Sequence, residues 1–154
     1  MNAVSWDSYK PTLMMILNEL RPRNILEYGA GESTKTICEF DSVEHLTSVE
    51  HSEEYYNKFK SISNKLSMFL VPSEDNYKAF REDIEYDMAF IDGIARQDCI
   101  ARCKDIPIVL LHDSEREQYQ QEIMRYKYVM FSDNGSTAIL TNFDDIHKRL
   151  VLCV

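Results

Sequence analysis

The feature that most constrains this chain is a set of five short aliphatic segments, each running into a carboxylate. The segments are Asn24–Tyr28, His45–Val49, Ser67–Val71, Asp87–Ile91 and Pro107–Leu111, and the acids at or just past their ends are Glu27, Glu50, Glu74 with Asp75, Asp92 and Asp113. Runs this short and this apolar read as buried strands. Between them the period changes to that of helices. Leu13, Ile16, Leu17 and Leu20 recur at helical spacing ahead of the first strand, with Pro11 tolerated in the first turn and Arg21-Pro22-Arg23 as a stop. Ser33 and Thr34 are suited to cap a helix around Lys35–Phe40, and Ser52 one that carries Tyr55, Tyr56, Phe59, Ile62 and Leu66. Weaker helical signals follow at Asn76–Arg81, at Ala95 to Cys103 and at Glu115–Arg125.

Strands alternating with helices predict an α/β fold: a Rossmann-like open twisted sheet, mostly parallel, with helices on both faces. Lys127–Phe131 and Thr137–Thr141, joined by Asp133-Asn134-Gly135, predict a C-terminal hairpin that adds an antiparallel strand at one edge. The tail Phe143–Val154 ends too apolar to be simply solvated and is expected to pack or pair. With 154 residues, no linker and no repeat, residues 1–154 are expected to form a single domain.

A formal net charge of −9 argues against a general binder of nucleic acid or of anionic membranes, whose phosphates would repel it. No stretch approaches the ~18 apolar residues of a membrane span, and no signal-peptide pattern opens the chain. A cytoplasmic protein with reduced thiols is expected. Cys38, Cys99, Cys103 and Cys153 form no CxxC pair, and Cys99 and Cys103 read as buried core thiols.

In open α/β sheets ligands bind beyond the carboxyl ends of the strands. Acids clustered on that rim repel one another unless a cationic or hydroxyl-rich partner is expected there. The alternative is that each favours the N-terminus of the helix that follows. The turn Gly29-Ala30-Gly31 gives a ligand close access to the backbone. A dinucleotide fingerprint would place a third glycine where Thr34 stands, and Glu27 would set a negative charge beside a pyrophosphate. A ligand with a ribose, a positive centre and no phosphate fits better.

Ile25-Leu26-Glu27-Tyr28-Gly29-Ala30-Gly31-Glu32-Ser33-Thr34 resembles the first motif of class I S-adenosylmethionine-dependent methyltransferases. Ser48-Val49-Glu50-His51-Ser52-Glu53-Glu54-Tyr55-Tyr56 resembles their second motif, Asp87–Gly93 with Arg96 and Cys99 the fourth-strand segment of a small subgroup, and Leu111-His112-Asp113 with Arg116 and Tyr119 the end of its fifth. The likeness covers about residues 6–142. It implies S-adenosylmethionine as cofactor. Glu27 would meet its amino-acid end, directly or through water, and Gly29 and Gly31 would let the backbone pass close. Glu50 would accept both ribose hydroxyls, and the adenine would lie near Ser73–Asp75 and the loop around Asp92. Glu32 departs from the family pattern, adding a negative charge in place of a small residue.

The reaction so implied is in-line methyl transfer, in which the protein holds donor and acceptor aligned. Asp92, His112 and Asp113 are the candidate catalytic residues where the acceptor needs a base. His112 is also placed to fix a loop by hydrogen bonding. Arg96 and Arg116 would either recognise an anionic acceptor or pair with Asp92 and Asp113. No metal is expected. Asp92 and Asp113 stand where some relatives hold Mg²⁺, but Ser114 replaces the third ligand. Trp6 and Tyr9 are candidates to cover the cofactor, or else core residues. The expected partner is a small-molecule or sugar acceptor. The small size leaves open a homodimer that supplies a missing wall, and also a non-catalytic module that keeps the fold.

Overall fold

The computed structural model describes residues 7–153; Trp6 lies outside them. Its strands are β1 (Asn24–Tyr28), β2 (His45–Glu50), β3 (Leu66–Leu70), β4 (Met88–Ile91), β5 (Ile108–His112), β6 (Tyr128–Phe131) and β7 (Thr137–Thr141). They form a seven-stranded sheet in the order β3-β2-β1-β4-β5-β7-β6. The first five pair in parallel. The chain steps outward from β1 to β2 and β3, then crosses back to β4. The strand order therefore reverses between β1 and β4, and a crevice opens at their carboxyl ends. The hairpin forms as expected, with one difference. β7 pairs antiparallel with both β5 and β6, so it lies inside the sheet and β6 is the edge.

Strand period 2 divides the core into two layers. Ile25, Met88, Phe90, Ile108, Leu110 and Ile139 face one side, where Leu13, Ile16 and Leu17 of helix α1 (Lys10–Glu19), Ile37 of α2 (Glu32–Cys38) and Leu150 join them. Leu26, Tyr28, Ala89, Ile91, Val109, Leu111, Ala138 and Leu140 face the other. There they meet Tyr77 of α4 (Glu74–Ala79), Cys99 and Ile100 of α5 (Arg96–Arg102) and Ile123 of α6 (Gln120–Ile123). Helix α3 (Glu53–Phe59) packs against β2 and β3. Cys99 and Cys103 are buried, as expected, and burial pushes the Cys103 thiol up to about 12.

Three elements differ from their sequence reading. α3 ends at Phe59, and Leu66 belongs to β3 instead of continuing the helix. The segment Glu115–Arg125 is no single helix but a 3-10 turn at Glu117–Tyr119 followed by α6. The ambiguous tail is α7 (Asp144–Cys153), which buries Ile146 and Leu150 and exposes Val151 and Leu152. Among the described residues no helix is long and apolar enough to cross a membrane.

Candidate active site

Three strand ends meet at the crevice. Gly29 takes a φ of +97°, which side chains rarely tolerate, and its Cα abuts the turn after β4. A Cβ there would stand 2.7 Å from the Gly93 Cα. At Gly31 a Cβ would meet nothing within 4 Å, because that residue opens onto space. The space is a cavity of about 760 Å³ lined by Gly29, Ala30, Gly31, Glu32, Ser33, Glu50, His51, Ser52, Asp92, Gly93 and Ile94. Tyr9, and Tyr55, Lys58 and Phe59 of α3, complete the lining. Among the described non-glycine residues, φ is positive at Arg21, Ala95 and Asp113. The last two follow β4 and β5, so strained backbone gathers at this rim.

Glu50 stands where the sequence places it, at the end of β2 and on the cavity wall. Its Oε2 accepts the Ala30 N–H at 2.8 Å, and its Oε1 accepts the His51 and Ser52 N–H groups at 2.9 and 2.8 Å. These bonds tie the glycine turn to β2 and fix the carboxylate.

Glu27 lies deeper than Glu50. It does not line the cavity. It is 0 % exposed and lies under the glycine turn, where Ser33 and Thr34 each donate a hydroxyl at 2.6 Å and Ser48 donates one at 2.8 Å. The physical reason is the strand's alternation: Glu27 pairs in register with Phe90 and Ser48, on the face away from Leu26 and Tyr28. Burial raises its pKa to about 7, against the pull of the three hydroxyls and with a smaller push from Asp92. Gly31 occupies the cap position of α2; Thr34 Oγ1 accepts the Gly31 N–H at 3.0 Å and so helps cap the helix while donating to Glu27, whereas the Ser33 hydroxyl serves Glu27.

Asp92 lines the cavity. Its Oδ1 meets His112 Nδ1 at 2.9 Å and an Arg96 nitrogen at 3.2 Å. His112 does not line the cavity. It stands behind Asp92, with Nε2 3.1 Å from Ser8 Oγ and its ring edge-on to Tyr9. Asp113 is likewise off the cavity wall, paired with Arg96 at 2.8 Å and Arg116 at 2.9 Å. So the two arginines pair with the acids. Arg96 also donates to the carbonyls of Gly93 and His112. Asp92, His112 and Asp113 present ligand atoms within 4.8 Å of one another, a spacing that suits a metal ion. The guanidinium of Arg96 already supplies positive charge to both of those acids.

Of the residues expected near the adenine, the loop around Asp92 lines the cavity. Ser73 caps α4, Glu74 and Asp75 are exposed in its first turn, and none of the three lines the cavity. The sequence reading missed the α3 wall. Tyr55 and Phe59 were visible at helical spacing, but which face they present depends on how α3 packs. Tyr9, a candidate cover, is both: 4 % exposed, packed on Phe90, and on the cavity wall.

No protein-family model and no curated protein matches the chain. Solved structures do resemble it. A methyltransferase-like protein from Silicibacter pomeroyi aligns with a TM-score of 0.68 at 18 % identity, over 99 % of this chain and 96 % of that one. The N-methyltransferase NodS from Bradyrhizobium japonicum aligns with a TM-score of 0.60 at 10 % identity, over 87 % and 92 %. A spermidine synthase aligns with a TM-score of 0.61 at 14 % identity, over 89 % of this chain, which spans only 60 % of that longer protein. The fold is therefore that of class I S-adenosylmethionine-dependent methyltransferases. That one architecture serves both methyltransferases and a synthase leaves the reaction to be argued from the site.

Proposed function

We propose that this protein binds S-adenosylmethionine in the crevice above β1, β2 and β4 and transfers its methyl group to a small-molecule acceptor. One observation carries the reading. The glycine turn after β1 and the Glu50 carboxylate after β2 open onto one cavity at the point where the strand order reverses.

The residues present fit the cofactor. Gly31 leaves open room that any side chain would enter, and Glu50 is fixed on the wall with acceptor capacity for ribose hydroxyls. When bound, the cofactor supplies an electrophilic methyl on a cationic sulfur. The chain's own part is to bind, orient and move a proton. Glu32, Glu50 and Asp92 set negative charge around the cavity, which lowers the free energy of a cation there without a metal. Asp92 is the base that reaches the acceptor. His112 holds Asp92 in place through Nδ1, and Ser8 in turn fixes His112. Tyr9 lines the same cavity and packs edge-on to His112.

Calorimetric titration with S-adenosylmethionine, its demethylated product and NAD tests the reading. The first two should bind and NAD should not. Glu50→Ala should abolish that binding, and unchanged affinity would remove the ribose contact. Methyl transfer to components of a cell extract separates an enzyme from a module that only binds.

A further inference from the structure

Among the described residues β6 pairs with β7 alone, so one side of it is a sheet edge. The Ser132 N–H donates to the Thr137 carbonyl at 2.8 Å. In this antiparallel ladder Tyr128, Met130 and Ser132 therefore turn their backbone groups toward β7. Those of Val129 and Phe131 point the other way, out of the sheet. Edge strands are usually blunted by a proline, a bulge or a charge. Tyr128-Val129-Met130-Phe131 has no proline and no charge, and it meets β7 residue for residue without a bulge. Phe131 is 51 % exposed.

We propose that β6 pairs with β6 of a second copy of this chain, antiparallel across a two-fold axis at Met130, so that two sheets become one. The register follows from the outward groups. With Met130 opposite its own symmetry mate, Val129 of each copy faces Phe131 of the other, and the two exchange both N–H···O=C bonds. The same register sets Lys127, just before β6, opposite Asp133, just past it, and does so twice. Both residues are exposed. Lys127 already meets Asp144 at 2.5 Å, but that pair is exposed and an ammonium has three donors. Moving the axis to Val129 would set Lys127 against Phe131, and moving it to Phe131 would set Asp133 against Val129. The other edge, β3, offers no such match: with its axis at Met68, Lys65 would face Val71. Charge that is complementary to itself across one axis is what a two-fold contact between identical chains requires, and a foreign strand would have no need of it. β5 and β7 separate β6 from the strands beneath the cavity, so the pairing leaves the cavity open.

Sedimentation equilibrium of the full chain should show a dimer with a Kd of about 1–100 μM, as suits a contact this small. Asp133→Lys and Lys127→Glu should each weaken it at least about tenfold, because each variant opposes like charges twice. An equimolar mixture of the two should recover the dimer, since every facing pair is then of opposite sign. Met130→Cys should cross-link on mild oxidation, because residues of a non-hydrogen-bonded pair stand about 4.5 Å apart at Cα, within disulfide reach. Val129→Cys, whose symmetry mate is offset along the strand, should not. Wild type oxidised in parallel accounts for the native Cys38 and Cys153 thiols, and circular dichroism verifies that each variant is folded. A wild-type monomer throughout that concentration range overturns the proposal. So does a dimer unaffected by both charge variants, or one that cross-links equally through Val129→Cys, because it would use another face or another register.

Discussion

Gly29 and Gly93 touch backbone to backbone: a Cβ on Gly29 would stand 2.7 Å from the Gly93 Cα and 2.8 Å from the Asp92 carbonyl oxygen. This contact seats the turn after β1 against the turn after β4 and so sets the floor of the cavity. Gly29 also holds a φ of +97°. Gly29→Ala is expected to cost about 1–3 kcal/mol from the strained backbone alone, and to abolish binding of S-adenosylhomocysteine. Chemical denaturation and calorimetry together check it. A variant of wild-type stability that still binds would show that the two turns are not pressed together.

On the other side of Gly93 lies Tyr77. A Cβ at Gly93 would stand 1.9 Å from the Tyr77 hydroxyl, which is buried and has no hydrogen-bond partner. Burial pushes this phenol well above its usual range, so it remains a neutral, unsatisfied hydroxyl. Deleting such a group removes a desolvation cost of about 1–3 kcal/mol. Tyr77→Phe is therefore expected to raise the melting temperature by roughly 2–4 °C, the shift of about 1 kcal/mol in a chain of this size. Gly93→Ala should be strongly destabilising alone and markedly less so together with Tyr77→Phe. Thermal melts of the three variants decide it, and additive effects would break the proposed contact.

Much of this site could be read from the chain because its signals are local. The parallel strands declare themselves by aliphatic runs, and Glu50 follows its run directly, so its place on the rim comes with the strand. Glu27 is different. It is inside β1, one residue before the end, and alternation decides which way it points. The hydroxyls that bury it come from α2 and β2, and only their spatial convergence shows that they serve one carboxylate. His112 was similarly ambiguous. The Ser8 hydroxyl that fixes it lies 104 positions away along the chain. For Arg96 the sequence leaves pairing and acceptor recognition both open, and the pair it makes with Asp92 four residues back is the local one. Its second partner, Asp113, depends on β4 and β5 being neighbours.

Arg96 spans the two strand-end acids, with its side chain 12 % exposed against 24 % for Asp92 and 21 % for Asp113. Removing one partner of such an arrangement leaves charge uncompensated. Breaking a fully buried pair costs about 3–5 kcal/mol, and the partial exposure of the acids reduces that to about 2 kcal/mol. Arg96→Met is expected to lose that stability. It also leaves Asp92, His112 and Asp113 with ligand atoms within 4.8 Å and no guanidinium between the acids. Added Mn²⁺ or Zn²⁺ should therefore raise the melting temperature of Arg96→Met more than that of the wild type. Equal shifts in the two proteins would mean that the guanidinium does not occupy the place of a cation.

The final prediction concerns pH and Glu27. Its folded pKa is raised from 4.5 to about 7, chiefly by burial and only partly countered by Ser33, Thr34 and Ser48. The folded state thus holds this proton more tightly than the unfolded state does. Stability from that difference is fully present below the unfolded value near 4.5 and is lost as pH rises through about 7. At about 1.4 kcal/mol per unit, the loss amounts to about 3 kcal/mol across the window. Glu27→Gln cannot titrate. Its stability relative to wild type should rise steadily between the two values and level off above them. A constant offset from pH 4 to 8 would show that Glu27 stays ionised throughout, with the three hydroxyls solvating its charge fully. Denaturation curves at half-unit intervals distinguish the two outcomes. The result bears directly on the cavity, because an ionised Glu27 adds its charge beneath the glycine turn only above the upper value. Cofactor affinity measured over the same range should then strengthen with pH in the wild type and stay flatter in Glu27→Gln.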